Sequence, residues 1–158
     1  MKILKIQALR GPNIWSVQRK KLIQMRLDLE EMEQFPTNKI EGFRERIEAM
    51  FPTMIEHRCS EGCRGGFFSR VERGTWMGHV IEHIALEIQT LAGMETGFGR
   101  TRETKTPGVY NVVFSYTEEN VGLFAAESAV AIAESLIAGT EYDVEADIQK
   151  MREIRERV

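Results

Sequence analysis

Two hydrophobic periods alternate along this 158-residue chain, and that alternation restricts the fold more than any single motif does. Residues 2–9 switch between apolar and polar side chains, and residues 22–29 set Met25, Leu27 and Leu29 against Gln24, Arg26 and Asp28. A period of two is that of a half-buried strand. Residues 109–116, VYNVVFSY, are rich in β-branched and aromatic side chains and predict a third strand. Other segments repeat at helical spacing. Ile40, Phe43, Ile47 and Met50 mark one helix that must stop before Pro52. Residues 76–91 give a second helix, the alanine-rich residues 123–138, closed by Gly139, a third, and residues 143–158 a fourth with Val144, Ile148, Met151 and Ile154 as its stripe. CSEGCRGG at 59–66 and the polar stretch 93–108 read as glycine-bearing loops. Strands and helices interspersed in this way predict an α+β fold: a small mixed β-sheet with helices packed mainly on one face, in a single domain.

A chain of this length buries a substantial core without disulfide or metal staples, so a metal would serve chemistry before folding. Its 21 Lys+Arg against 24 Asp+Glu give a net charge of -3, without the basic excess that phosphate backbones reward. Nucleic acid is therefore not expected as a partner. No stretch approaches eighteen uninterrupted apolar residues and the start lacks a signal-peptide pattern, so no membrane partner is expected and the location reads as cytoplasmic. In a reducing compartment Cys59 and Cys63 are expected as free thiols, since one C-x3-C pair is a weak zinc signal.

Two of the three histidines fall four residues apart in GHVIEHIALEIQ. On a helix His79, Glu82 and His83 share a face. H-x-x-E-H is the inverted zinc-hydrolase pattern, in which two imidazoles one turn apart bind one ion and the carboxylate serves as general base toward its water. Such a site needs a third protein ligand. Glu127 and Glu134 are the preferred candidates, seven apart on one face of an otherwise apolar helix where an unpartnered carboxylate is expensive. One would complete the metal's ligands and the other would support a histidine, and the sequence leaves open which does which; His57 and Glu87 are weaker alternatives. The competing reading of the same spacing is a solvated helix face.

The text from residue 57 to 103, HRCSEGCRGGFFSRVERGTWMGHVIEHIALEIQTLAGMETGFGRTRE, resembles the N-terminal domain of the cyanophycin synthetase family, and so do MKILKIQALRGPNIWS at the start and MRLDLE at 25–30. The resemblance implies that this chain is one domain of a larger synthetase, whose ATP-grasp and Mur-ligase-like domains, absent from this chain, use ATP and magnesium to join aspartate and arginine into cyanophycin. No G-x-x-x-x-G-K-[ST] loop is present, and Gly97-Phe98-Gly99 is too small a fragment to bind nucleotide. What remains for the domain is to hold the zwitterionic polymer or to cut it. Arg64, Arg70, Arg73, Arg100 and Arg102 are the candidates for its carboxylates, and Glu61, Glu72 and Glu103 for its guanidinium groups. The motif is also similar to that of pitrilysin-type metallopeptidases, which carry a downstream glutamate pair seven apart, as Glu127 and Glu134 are. The pair follows the histidines sooner here, which points to convergence. The expectation is thus a zinc-dependent site that cleaves the polymer and makes primers for elongation, with His79, His83 and Glu127 or Glu134 on the ion and Glu82 as base. Its alternative is a non-catalytic module that binds polymer and docks on the other synthetase domains, and a blander one is a scaffold that buries the stripe on residues 143–158.

Overall fold

The structure, a computed structural model, describes residues 1–16 and 20–158. Four strands, β1 (Lys2–Leu9), β2 (Leu22–Asp28), β3 (Gly99–Glu103) and β4 (Val109–Ser115), form one sheet in the order β1-β2-β4-β3. All three pairings are antiparallel, so the α+β sheet is present but is not mixed as its sequence suggested. The β3–β4 link is a short loop, and a link that short joins only antiparallel neighbours.

Alternation along the strands gives the sheet a core face and an outer face, the latter carrying a small apolar cluster of Trp15, Leu22 and Val113. Ile23, Met25, Leu27, Val112 and Phe114 enter the core from one face. On the other face the register places Lys5 opposite Arg26, Arg26 opposite Asn111 and Asn111 opposite Arg102, a polar row across all four strands. A short edge strand with charged outward side chains resists adding further strands. This edge strand, β3, lies where the sequence reads as loop. Its residues GRTRE carry no apolar alternation, and pairing with β4 makes it a strand.

Among the described residues five α-helices complete the domain: α1 (Phe43–Met50), α2 (Gly66–Arg73), α3 (Met77–Leu91), α4 (Glu119–Ala138) and α5 (Val144–Glu156). Helix α3 packs on β3 and β4, α4 lies beside it over β1 and β2, and α5 covers both helices from outside. Asp143 caps α5 by accepting the Ala146 N–H at 3.0 Å. Among the described residues α4 is long and apolar enough to cross a membrane, with a mean hydropathy of 1.6, but 61% of that window is buried in the fold. Val121, Ala125, Ala129, Ile132 and Leu136 are the core residues responsible, and each large aliphatic side chain among them contributes about 1.5–3 kcal/mol by burial. The helix expected over 40–51 starts only at Phe43, after Gly42 takes a left-handed φ of 74°. Helix α2, in a stretch without a clear period, supplies Phe67 and Phe68 to the core.

Gly78 sets how closely α3 approaches the sheet. A Cβ there would stand 3.1 Å from Thr101 Cγ2 and 3.4 Å from the Tyr110 ring. With only hydrogen in that position, the first turn of α3 settles onto β3 and β4. One turn later, Glu82 is carried against the edge strand.

Candidate metal centre

Burial decides between the two readings of the α3 motif. Glu82 is 6% exposed, His83 7% and Glu87 3%, so this helix face is not solvated. Buried polar groups require partners. Each one here has them.

His79 places Nδ1 3.0 Å from the Thr75 hydroxyl and Nε2 3.1 Å from Cys59 Sγ. Thr75 stands just before α3 and is itself fixed by its N–H, which donates to Thr37 Oγ1 at 3.0 Å. His83 lies one turn further, stacked on Phe67 of α2 with ring centroids 4.3 Å apart. Its Nδ1 is 2.8 Å from His57 Nδ1, and His57 Nε2 is 2.7 Å from Glu87 Oε2. The Thr53 hydroxyl also donates to Glu87. Glu82 accepts from Thr101 Oγ1 at 2.6 Å, in a space that Gly99 leaves free, where any Cβ would overlap Glu82 Oε1.

The surroundings set the protonation of these groups. Burial lowers the His79 pKa to about 4, with the Arg70 guanidinium acting in the same direction. Burial also holds His83 well below the usual imidazole range, assisted by His79 and His57. Both rings are neutral near pH 7 and offer lone pairs. Burial raises Glu82 to about 7 against the opposing hydrogen bond from Thr101. For Glu87 burial pushes upward, but the hydrogen bonds from His57 and Thr53 outweigh it and hold the carboxyl below its ordinary value.

Donor atoms of Cys59, His79 and His83 all lie within 4.8 Å of one another. A thiol with two neutral imidazoles is a set that suits zinc, and catalytic zinc sites commonly use three protein ligands. The outer partners fit as well. With the Nδ1 hydrogen of His79 given to Thr75, its Nε2 lone pair faces the Cys59 sulfur. Cys59 itself holds a left-handed φ of 54°, a conformation that costs about 1–3 kcal/mol in a non-glycine residue and clusters at functional sites.

The structure brings His79, His83 and Glu82 together but not the two glutamates of α4. Glu127 and Glu134 are exposed, neither lines the histidine cavity, and Glu134 meets the Met1 ammonium at 3.3 Å. The third side chain beside the histidines is Cys59, from the 3-10 turn Cys59–Glu61. The sequence expects this thiol only as a free one, and it is free in the structure. Its place beside His79 has no local signal, because twenty residues separate the two.

The cavity over this group has a volume of about 750 Å³ and reaches from Cys59 and His79 past Glu82 to β3. Arg70 and Arg100 line it, and the buried Arg70 Nε has no hydrogen-bond partner among the described residues. Arg64 and Arg73 are instead exposed and paired, with Glu56 and Glu61. Arg102 stands on the outer sheet face.

Comparison with known proteins agrees with this architecture. The family described as the cyanophycin synthase-like N-terminal domain matches residues 24–138. The chain is 52% identical over 157 residues to a cyanophycin synthetase of Synechocystis sp., covering 98% of this chain and 18% of that protein. It is 53% identical over 156 residues to one of Geminocystis herdmanii, covering 99% and 18%. It is 52% identical over 157 residues to one of Trichormus variabilis, covering 98% and 17%. The chain thus spans less than a fifth of the length of the curated relatives it matches.

Proposed function

Because this chain belongs to the cyanophycin synthase-like N-terminal domain family, we propose that it binds the aspartate–arginine polymer and hydrolyses it at the cavity beside α3, making primers for synthetic domains elsewhere in the enzyme. The observation that carries the reading is the convergence of Cys59, His79 and His83 donor atoms within 4.8 Å of one another at the wall of an open cavity, with a carboxyl poised near neutrality in the same wall.

Cys59, His79 and His83 are the residues that would hold zinc. Zinc there supplies Lewis acidity, which acidifies water and polarises a peptide carbonyl. The chain's own groups do the rest. Glu82, with a pKa of about 7, accepts a proton from water as oxygen bonds to the carbonyl carbon and returns it to the amide nitrogen as the C–N bond breaks. Thr101 fixes the carboxyl through Oε2, and Gly99 leaves room for Oε1. Arg70 has an unused buried N–H at the cavity wall and suits a carboxylate of the polymer.

A second reading, a binding module without chemistry, draws support from the outer sheet face. Lys5, Arg26 and Arg102 are exposed there, and none of them has an ion-pair partner among the described residues. Like charges on opposed strand positions, as at Lys5 and Arg26, cost stability unless a partner offsets them. An array of this kind suits a polymer that carries repeated carboxylates.

The test is incubation of the protein with cyanophycin and zinc, following polymer size and new amino ends, with and without chelator. Shortening that stops with chelator and in Glu82→Gln is the expected result. Polymer that binds but keeps its size leaves only the binding module.

A further inference from the structure

The chain's remaining histidine takes no part in the reaction described above. His57 follows the 3-10 turn Pro52–Glu56, and its ring joins two buried groups of α3, His83 at 2.8 Å and Glu87 at 2.7 Å. These two lie four residues apart on one helix face, so a single imidazole spans them.

Hydrogen counting fixes the direction of the chain of bonds. Glu87, held below the ordinary carboxyl range, is ionised and can only accept. The hydrogen between it and His57 therefore belongs to His57 Nε2. With one ring hydrogen on each imidazole, the one at His57 Nε2 leaves His57 Nδ1 bare. Two bare nitrogens 2.8 Å apart would repel, so the hydrogen in that contact belongs to His83 Nδ1. His83 has now used its one ring hydrogen. Its Nε2 is left as a lone pair.

We propose that His57 is a positioning residue for the candidate metal centre: through Glu87–His57–His83 it fixes the tautomer in which His83 offers Nε2 to an ion. Phe67 stacked on the His83 ring holds the plane of that ring, and the relay decides which nitrogen carries the hydrogen. The role requires an acceptor beyond His57, which Glu87 and its Thr53 partner provide. Partners that orient a ligating histidine are typically worth about 10–100-fold in metal affinity. The inference rests on the reading of Cys59, His79 and His83 as ion ligands, but its central claim concerns hydrogens of the metal-free protein.

Histidine labelled with 15N and long-range proton–nitrogen spectra at pH 8, with chelator present, test that claim directly. Three histidines make the assignment tractable. The expected pattern is His83 protonated on Nδ1 and bare on Nε2, with His57 protonated on Nε2. In His57→Phe the His83 preference for Nδ1–H is lost. Zinc affinity falls about 10–100-fold in His57→Phe and at least several-fold in Glu87→Gln, while the thiolate-to-cobalt absorption of the cobalt-loaded protein persists. A wild-type His83 protonated on Nε2 overturns the proposal. So does zinc affinity within twofold of wild type in both variants, or a change of cobalt coordination number in His57→Phe, which would make His57 a ligand. Failure of the wild-type protein to bind zinc would instead overturn the metal reading, and the spectra would still decide the tautomer. Glu87→Gln guards against a fold defect, since it keeps the shape of the side chain and weakens the relay only by exchanging an ionised acceptor for a neutral amide oxygen.

Discussion

Replacing Glu82 by Gln should stabilise the metal-free protein, and the gain should depend on pH in one direction. The carboxyl rises from 4.5 to about 7 on folding, because burial outweighs the Thr101 hydrogen bond. At about 1.4 kcal/mol per pH unit this rise of about 2.5 corresponds to at most about 3.5 kcal/mol. Below pH 4.5 the group is protonated in both folded and unfolded chains, and glutamate and glutamine are nearly equivalent. Between 4.5 and 7 the unfolded chain releases the proton while the folded chain keeps it, so wild-type stability falls as pH rises. Above 7 the full cost is present. Glutamine avoids that cost, keeps an acceptor for Thr101 and has the same shape beside Gly99. The depressed His79 produces an opposite slope, losing stability as pH falls from 6.5 toward 4, but both proteins carry it and it cancels in the difference. Urea unfolding with chelator, from pH 4 to 8, measures the effect. The midpoint of Glu82→Gln should match wild type near pH 4 and exceed it by about 1–3 M at pH 8, given a slope of about 1–3 kcal/mol per molar urea. A difference independent of pH, or one that favours glutamate at pH 8, would refute the account of Glu82 as a carboxyl held protonated by its surroundings.

Cys59→Ser should lower zinc affinity by more than about 100-fold in competition with a chromophoric chelator, beyond the loss typical of an outer partner, whereas Cys63→Ser, at an exposed position outside the ligand group, should leave it unchanged. Glu127→Gln and Glu134→Gln should keep zinc affinity within about twofold, and the exposed ion pair lost in Glu134→Gln should change stability by less than about 1 kcal/mol in thermal unfolding. Gly99→Ala should destabilise by about 1–3 kcal/mol because its Cβ overlaps the Glu82 carboxylate, and a double-mutant cycle with Glu82→Ala should recover most of that loss; additive losses would count against the contact.

Those features of the fold that depend on a hydrophobic period were legible in the chain. Strands β1 and β2 and helices α3 and α5 carry one, while β4 shows in its β-branched and aromatic run and α4 in its alanine content. Strand β3 does not. Thr101 faces α3 and Arg102 the outer sheet face, so polar residues occupy both sides, and only the partner strand reveals it. Helix α2 is eight residues long and follows a glycine-dense turn, too short for a period to emerge.

The site divides along the same line. His79, Glu82 and His83 come from one helix turn, so their proximity is a property of local sequence. Cys59 and His57 arrive from a preceding loop, and Phe67 from α2, which tertiary packing alone positions. The spacing of Glu127 and Glu134 is equally helical, yet a seven-residue repeat marks any shared helix face, including an exposed one. Burial separates the cases. A carboxyl at 6% exposure whose pKa is pushed up to about 7, beside imidazoles held neutral well below their usual range, is costly to retain in a helix that could otherwise bury aliphatic side chains. Cys59 adds the cost of a left-handed backbone. An ion that binds only the folded chain offsets such costs by about 2.7 kcal/mol at a hundred times its dissociation constant. The α4 glutamates, in water and paired or unpaired at little cost, place no such demand on the fold. The energetic burden therefore falls on the residues of the α3 cavity, where chemistry can use it.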